Sequence, residues 1–181
     1  MIVSAHDGYP RWVNSGADFI EVDIRRTPDG VIVLSHDELK PGRRVPTLDE
    51  VLDATRGRIG VQLDLKEPGY ELEVVKRALE KHPPDRVAVT TPFVESVRKV
   101  KDSVPQIKVG LTRQFIERAD ADFVALDQRY ATEEALGFGM TLWVWTVDDW
   151  KQMWRLVRDK RVAGIITNRP KLALLLKKAR W

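Results

Sequence analysis

Short apolar segments that alternate with amphipathic segments constrain the fold of this chain more than any other feature. Each apolar segment is short enough for one buried strand and is followed by polar residues. Strict alternation of strands and helices favours a parallel sheet, which is either open or closed into a barrel. The sequence predicts strands at residues 2–5, 19–24, 60–65, 87–90, 107–111, 123–126, 141–146 and 164–167.

The segments between these strands predict helices of uneven length. Apolar residues recur at three- and four-residue spacing at 48–54, 71–81, 94–100, 150–157 and 171–179. Residues 11–15, 114–119 and 133–136 have room for one or two turns at most. Eight strand–helix units predict a compact (β/α)8 TIM-type barrel of the α/β class, although such barrels usually have about 250 residues.

An open doubly wound sheet is the structural alternative. That fold places a glycine-rich, phosphate-binding turn directly after its first strand. In this chain, Gly137 and Gly139 precede the seventh predicted strand instead. The closed barrel is therefore the better prediction.

A turn signal interrupts the alternation after the second strand. Residues 27–30 read Thr-Pro-Asp-Gly and lead into a second β segment at 31–34. This pattern predicts a β-hairpin extension centred on Pro28 and Asp29. Such a hairpin would bring His36 back roughly opposite Glu21.

Composition limits the remaining classes of function. The 181 residues fit a single domain, 1–181, with 43% apolar and 31% charged residues. Net charge is +3 with acids and bases intermixed, a pattern that does not indicate nucleic-acid binding. The chain has no cysteine for a disulfide, no apolar segment long enough to span a membrane and no recognisable signal peptide. These features predict a cytoplasmic protein.

Charged side chains cluster where the predicted strands end. Carboxyl ends of barrel strands meet at one rim, where barrel enzymes place their reactive groups. Glu21 and Asp23 lie two apart on one strand and share a face, as do Asp64 and Lys66 on the next. Three carboxylates converging there suit a hard divalent cation such as Mg2+ or Ca2+. The rim also receives two histidines, His6 and His36.

This combination indicates phosphoryl chemistry. A metal ion would neutralise a phosphate, Lys66 would add a positive charge, and two histidines would supply an acid and a base. Taken singly, each feature has an ordinary structural explanation: a carboxylate pair is usually surface, and His82 at a helix end is structural or solvated. Trp143 and Trp145 share a face within an apolar segment, so one of them is expected to line a pocket.

Several sequence blocks resemble the glycerophosphodiester phosphodiesterases of the phospholipase C-like barrel superfamily. They occur in the family's order and span nearly the whole chain. The blocks are residues 5–8 (Ala-His-Asp-Gly), 16–24 (Gly-Ala-Asp-Phe-Ile-Glu-Val-Asp-Ile), 27–31 (Thr-Pro-Asp-Gly-Val), 36–37 (His-Asp), 64–66 (Asp-Leu-Lys), 144–147 (Val-Trp-Thr-Val) and 164–170 (Gly-Ile-Ile-Thr-Asn-Arg-Pro).

The resemblance implies a role for each matching position. His6 and His36 correspond to the acid–base pair. Glu21, Asp23 and Asp64 correspond to the ligands of a divalent metal cation. Lys66 corresponds to the phosphate-binding and catalytic lysine, and Trp145 to the aromatic wall of the substrate cleft. The implied reaction cleaves a small-molecule glycerophosphodiester to glycerol phosphate and an alcohol.

The chain departs from the family pattern at three points. The family's His-Arg-Gly reads His6-Asp7-Gly8, its Pro-Glu-Asn-Thr segment is missing, and aspartate replaces glutamate at position 64. An Asp-x-Lys at that point is shared with venom-type sphingomyelinase D proteins. Two alternatives therefore stay open: a lysophospholipase D- or sphingomyelinase D-like activity, and a degenerate barrel that binds a phosphorylated ligand or metal without turnover.

Overall fold

Eight parallel strands close into a barrel in the computed structural model, which describes residues 1–39 and 44–179. Strand β1 pairs with β2 on one side and with β9 on the other, so the sheet has no free edge within the ring. Within the described residues the strands are β1 (Ile2–Ala5), β2 (Phe19–Arg26), β3 (Ile32–Leu34), β4 (Gly60–Leu65), β5 (Val87–Thr91), β6 (Lys108–Arg113), β7 (Phe123–Asp127), β8 (Leu142–Trp145) and β9 (Val162–Thr167).

Helices follow most of the barrel strands and cover the outside of the sheet. They are α1 (Leu48–Thr55), α2 (Glu71–Lys81), α3 (Val94–Ser103), α4 (Glu133–Leu136), α5 (Trp150–Arg158) and α6 (Pro170–Lys178), with single 3-10 turns at Pro84–Arg86 and Gln128–Tyr130. The predicted TIM-type barrel is thereby confirmed, and the open doubly wound sheet is excluded.

The short segments predicted to have one or two turns at most differ in outcome. Residues 11–15 do form hydrogen-bonded turns, in which the Trp12 amide donates to the Gly8 carbonyl and the Ser15 amide donates to the Trp12 carbonyl. Residues 114–119 form no helix. Arg113 pairs with Glu117 across that segment and donates to the Pro92 carbonyl at 2.8 Å, so side chains hold the loop in place.

The floor of the barrel is filled by aromatic rings. Trp143 stacks on Phe123 with ring centroids 4.1 Å apart and lies 5.8 Å from the ring of Phe19. Glycines face these rings because a side chain would collide with them. A Cβ at Gly110 would lie 2.3 Å from the Phe123 ring, and one at Gly164 would lie 2.7 Å from Trp143. This apolar layer forces polar inward-facing side chains to the strand ends above it.

The hairpin is confirmed, with a slightly different register from the one expected. Strand β3 pairs antiparallel with β2, with Ile24 opposite Leu34. The Ser35 amide then donates to the Asp23 carbonyl at 3.0 Å. His36 therefore returns beside the segment between Glu21 and Asp23 rather than directly opposite Glu21, because the pairing is offset by about one residue.

No helix in the described parts of the chain is long and apolar enough to cross a membrane. The described helices instead bury one face against the barrel. Helix α1, for example, begins with a capping box formed by Thr47 and Glu50 and buries Leu48, Val51 and Leu52.

Candidate active site

Three carboxylates converge at the carboxyl ends of neighbouring strands. Glu21 and Asp23 both face into the barrel from β2, and Asp64 faces inward from β4, where it pairs in register with Asp23. One oxygen from each of the three lies within 4.8 Å of the others. All three residues are buried, with 5 to 9% of their surface exposed. This separation is small enough for a single cation to contact all three.

Lys66 extends across two of these carboxylates. Its Nζ lies 2.8 Å from Asp23 Oδ1 and 2.5 Å from Asp64 Oδ2. Although burial opposes the charge, Asp64 and Asp23 raise the pKa of Lys66 above its ordinary value. The lysine is therefore charged at neutral pH.

Glu21 lies on the far side of the cluster, where the lysine compensates it less. Burial, followed by the charges of Asp23 and Asp64, raises the pKa of Glu21 well above its ordinary value. The Asp7 amide donates to Glu21 Oε2 at 3.1 Å and partly offsets this effect. The cluster thus concentrates more negative charge than its own cation neutralises.

A cavity of about 140 Å3 opens above the carboxylates. Every residue predicted for the site lines it. The lining comprises His6, Glu21, Asp23, His36, Gln62, Asp64, Lys66, Thr90, Thr112, Ala125, Trp145 and Ile166. The barrel therefore brings together in one chamber residues that are as far as 160 positions apart in the sequence, from His6 to Ile166.

The two histidines reach the cavity from different supports. His6 follows β1, and its Nδ1 lies 3.1 Å from Asn168 Oδ1. His36 follows β3, is largely exposed, and has its Nδ1 3.0 Å from Asp37 Oδ1. The Arg25 Nε donates to the His36 carbonyl at 3.1 Å, which ties the returning hairpin to β2. The third histidine, His82, is buried at the end of α2 beside Thr55 and serves a structural role.

Of the two tryptophans that share a face of β8, one lines the cavity, as predicted, and the other is buried. Trp143 belongs to the aromatic floor and is 1% exposed. Trp145, two residues nearer the mouth, lines the cavity and donates from Nε1 to the Ala125 carbonyl at 2.8 Å. This hydrogen bond fixes the indole as one wall of the chamber.

Sequence reasoning missed several cavity-lining residues. Gln62 and Thr112 belong to this group, and Thr112 Oγ1 donates to Asp64 Oδ1 at 3.3 Å. The Gln62 Oε1 is buried and has no hydrogen-bond partner among the described residues. The signal for Gln62 was its position two residues before Asp64, which places both side chains on the inward face.

Three arginines on strands β2 and β6, Arg25, Arg26 and Arg113, do not line this cavity. Arg25 pairs with Glu67, the Arg26 guanidinium lies 5.3 Å from the centre of the Tyr70 ring, and Arg113 pairs with Glu117. Among the described lining residues, Lys66 is accordingly the cation with direct access to a bound anion.

Asp7 adopts a left-handed backbone conformation, with φ of 44°, and is exposed. Together with Tyr9 and His36 it lines a neighbouring cavity of about 290 Å3 that also reaches Asp23. Its carboxylate is not part of the metal-compatible group found among the described residues. The acid thus stands beside the carboxylate cluster rather than within it.

The fold and the site describe one type of protein. It is a TIM-type barrel with a buried acidic cluster, a lysine and two histidines at the carboxyl ends of its strands. The family model of the "Glycerophosphoryl diester phosphodiesterase family" matches residues 8–123, more than half of the chain. The chain belongs to this family, which places it among the phosphoric diester hydrolases.

Individual relatives agree with this assignment. A glycerophosphodiester phosphodiesterase of Caldanaerobacter subterraneus is 27% identical, with 93% of this chain and 89% of the relative aligned. The crystal structure of a glycerophosphodiester phosphodiesterase from Parabacteroides distasonis superposes with a TM-score of 0.84 at 19% identity, covering 98% and 97% of the two chains. A phosphodiesterase of Oleispira antarctica, solved with the product sn-glycerol-3-phosphate, gives 0.80 at 16% identity, covering 98% and 97%.

Proposed function

We propose that this protein hydrolyses a small glycerophosphodiester to glycerol phosphate and an alcohol, using a divalent metal ion and histidine acid–base catalysis. One observation carries the proposal: Glu21, Asp23 and Asp64 converge within 4.8 Å in a cavity that also contains Lys66 and two histidines. Membership of the family supplies the reaction class, and the Oleispira antarctica complex supports a small-molecule substrate.

The donor set fits a hard divalent cation. Three carboxylates and one ammonium leave a net charge of −2 in the cluster, which one Mg2+ or Ca2+ would neutralise. Glu21 has a raised pKa because it is buried beside two like charges, so a cation would favour its ionised, ligating form. When bound, such an ion would offset the negative charge of a phosphodiester.

The remaining lining residues have complementary roles. Lys66 holds two of the proposed ligands in place and presents a positive charge to the phosphate. His6 and His36 are the imidazoles of the lining, and imidazole is the side-chain group used most often for acid–base catalysis. One of them accepts a proton from the attacking water as the new P–O bond forms, and the other donates a proton to the departing alcohol oxygen. Trp145 provides an apolar wall for the substrate.

Calorimetric titration of chelator-treated protein with Mg2+, Ca2+ and Mn2+ tests the proposed metal site. Wild type should bind one ion, and Glu21→Gln and Asp64→Asn should each lose most of the signal. Asp49→Asn, which changes an exposed acid on α1, is the matched control and should bind as wild type does. If the two cluster variants also retain wild-type affinity, the ion is bound elsewhere.

A lysophospholipase D-like activity is a second candidate, and exposed apolar residues that follow the carboxyl ends of barrel strands favour it. Val94, Phe115 and Trp150 follow β5, β6 and β8 and are 40%, 61% and 54% exposed. They could contact the acyl chain of a lysolipid. Measuring kcat/KM for water-soluble glycerophosphodiesters and for lysolipids with the same headgroup would separate the two. The non-catalytic alternative predicts metal binding with no turnover of either.

A further inference from the structure

Asp148, which follows β8, is surrounded by hydrogen-bond donors from the end of β9. Its Oδ1 accepts from Thr167 Oγ1 at 3.0 Å and from the Asn168 amide at 2.8 Å. Its Oδ2 accepts from Asn168 Nδ2 at 2.7 Å. Although partial burial opposes ionisation, these donors lower the pKa of Asp148 below its ordinary value. The side chain is therefore a fixed carboxylate at neutral pH.

The Asp148 carboxylate determines the orientation of the side-chain amide of Asn168. With Nδ2 directed to Asp148, the amide oxygen faces His6, with Oδ1 3.1 Å from Nδ1. The reversed amide would place two oxygens against each other at Asp148 and would lose that hydrogen bond. The orientation with the oxygen towards His6 is the one that satisfies both neighbours.

An acceptor facing Nδ1 requires that this nitrogen carry a proton, which leaves Nε2 of neutral His6 with its lone pair. His6 lines the cavity, whereas Asn168 does not. We propose that Asn168 and Asp148 are positioning residues that hold His6 as the Nδ1–H tautomer, so that Nε2 is the proton acceptor presented to the site. The catalytic meaning of this inference rests on the proposed function, but the tautomer itself does not.

Long-range 1H–15N NMR spectra report the tautomer directly. The chain has three histidines, so His6 is assigned by the signals that disappear in His6→Ala. In wild type the neutral ring should show a protonated Nδ1 and an unprotonated Nε2. Asn168→Ala should show a mixture of both tautomers. Asn14→Ala, which removes an exposed asparagine in the turn after β1, is the matched control and should leave the His6 signals unchanged.

Kinetics and an exchange of the two side chains provide a second test. Asn168→Ala should lower kcat about ten- to a hundredfold, with KM and metal affinity within about twofold of wild type. Asn168→Asp alone sets two carboxylates against each other and should also lose activity. The double variant Asp148→Asn/Asn168→Asp restores an acceptor beside His6 and a donor behind it, and should recover most of the rate.

Two results would overturn the proposal. One is a wild-type His6 protonated on Nε2, and the other is an Asn168→Ala variant that keeps the pure Nδ1–H form. The spectra need no turnover. If the protein hydrolyses no phosphodiester, the proposed function fails while the tautomer remains decided by the NMR measurement.

Discussion

Lys66 Nζ lies 2.5 Å from Asp64 Oδ2, and a single residue separates the two along the chain. Both side chains face the barrel interior because alternate residues of a strand share a face. The contact brings a cation into a group of three carboxylates, and 22% of the lysine side chain remains exposed towards the cavity. The same ammonium can therefore compensate the acids and meet an incoming anion.

Replacing this lysine should expose the repulsion that it suppresses. In Lys66→Met the three carboxylates lose the ammonium that lies among them. The free energy of unfolding of the metal-free protein should therefore fall by roughly 2 kcal/mol. A divalent ion should then stabilise the variant more than it stabilises wild type. Thermal unfolding with and without Mg2+ measures both effects. An unchanged melting temperature in metal-free Lys66→Met would show that the ammonium does not compensate the cluster.

Asp7 should weaken substrate binding because it places a negative charge beside the phosphate site. Its side chain is exposed, so solvent screens the repulsion between Asp7 and the phosphate. The repulsion should therefore weaken substrate binding by only about 1 kcal/mol. Asp7→Asn should therefore lower KM about three- to tenfold and leave metal affinity unchanged. Initial rates and metal calorimetry on the same preparations test this. A fall in metal affinity would instead identify Asp7 as a ligand.

The aromatic floor should not tolerate a side chain at position 110. A Cβ there would lie 2.3 Å from the Phe123 ring, so Gly110→Ala should reduce the free energy of unfolding by about 1–3 kcal/mol. Urea unfolding measures the loss. Adding Phe123→Leu should recover part of it by making room. If Gly110→Ala is as stable as wild type, the ring does not pack against β6 as described.

Protonation of Glu71 should make the protein less stable in acid. Burial opposes its charge, but hydrogen bonds from Ser96, Gly69 and Lys99 lower the pKa of Glu71 to about 2. Because the folded-state pKa lies below the ordinary value of about 4.5, this contribution is complete above pH 5 and is lost as the pH falls towards 2. We expect it to be about 1–2 kcal/mol, since Lys99 is partly exposed to solvent.

The measurement is the free energy of unfolding in urea at pH 6, 4 and 3. Glu71→Gln should be less stable at pH 6 and should lose less stability on acidification than wild type. Glu73→Gln changes an exposed acid on the same helix and should follow the wild-type pH dependence. Parallel curves for wild type and Glu71→Gln would contradict the assigned role.

Most of the barrel was predictable because each strand–helix unit carries its own local signal. The strands at 2–5 and 60–65 have the predicted limits, and the helix predicted at 71–81 is also correct. Residues 114–119 were harder, since Arg113 and Glu117 order that loop through a side-chain contact that hydrophobic periodicity does not report.

The candidate site was predictable where residues share a strand and less so where the barrel brings distant strands together. The pairs Glu21 and Asp23, and Asp64 and Lys66, follow from alternation along a strand. The contact between Asn168 and His6 depends on the pairing of β1 with β9, and the sequence around either residue does not predict it. The offset of His36 depends on the hairpin register, which the turn sequence alone did not specify.

Release of glycerol phosphate from simple glycerophosphodiesters measures the proposed metal-dependent hydrolysis itself. The assay compares chelator-treated wild type, the same protein resupplied with Mg2+, Ca2+ or Mn2+, and the variants His6→Ala and His36→Ala. Turnover should require one of these ions and should fall about a hundredfold or more in each histidine variant, while both variants still bind the metal. Turnover that persists without metal, or a histidine variant with nearly the full rate, would contradict it.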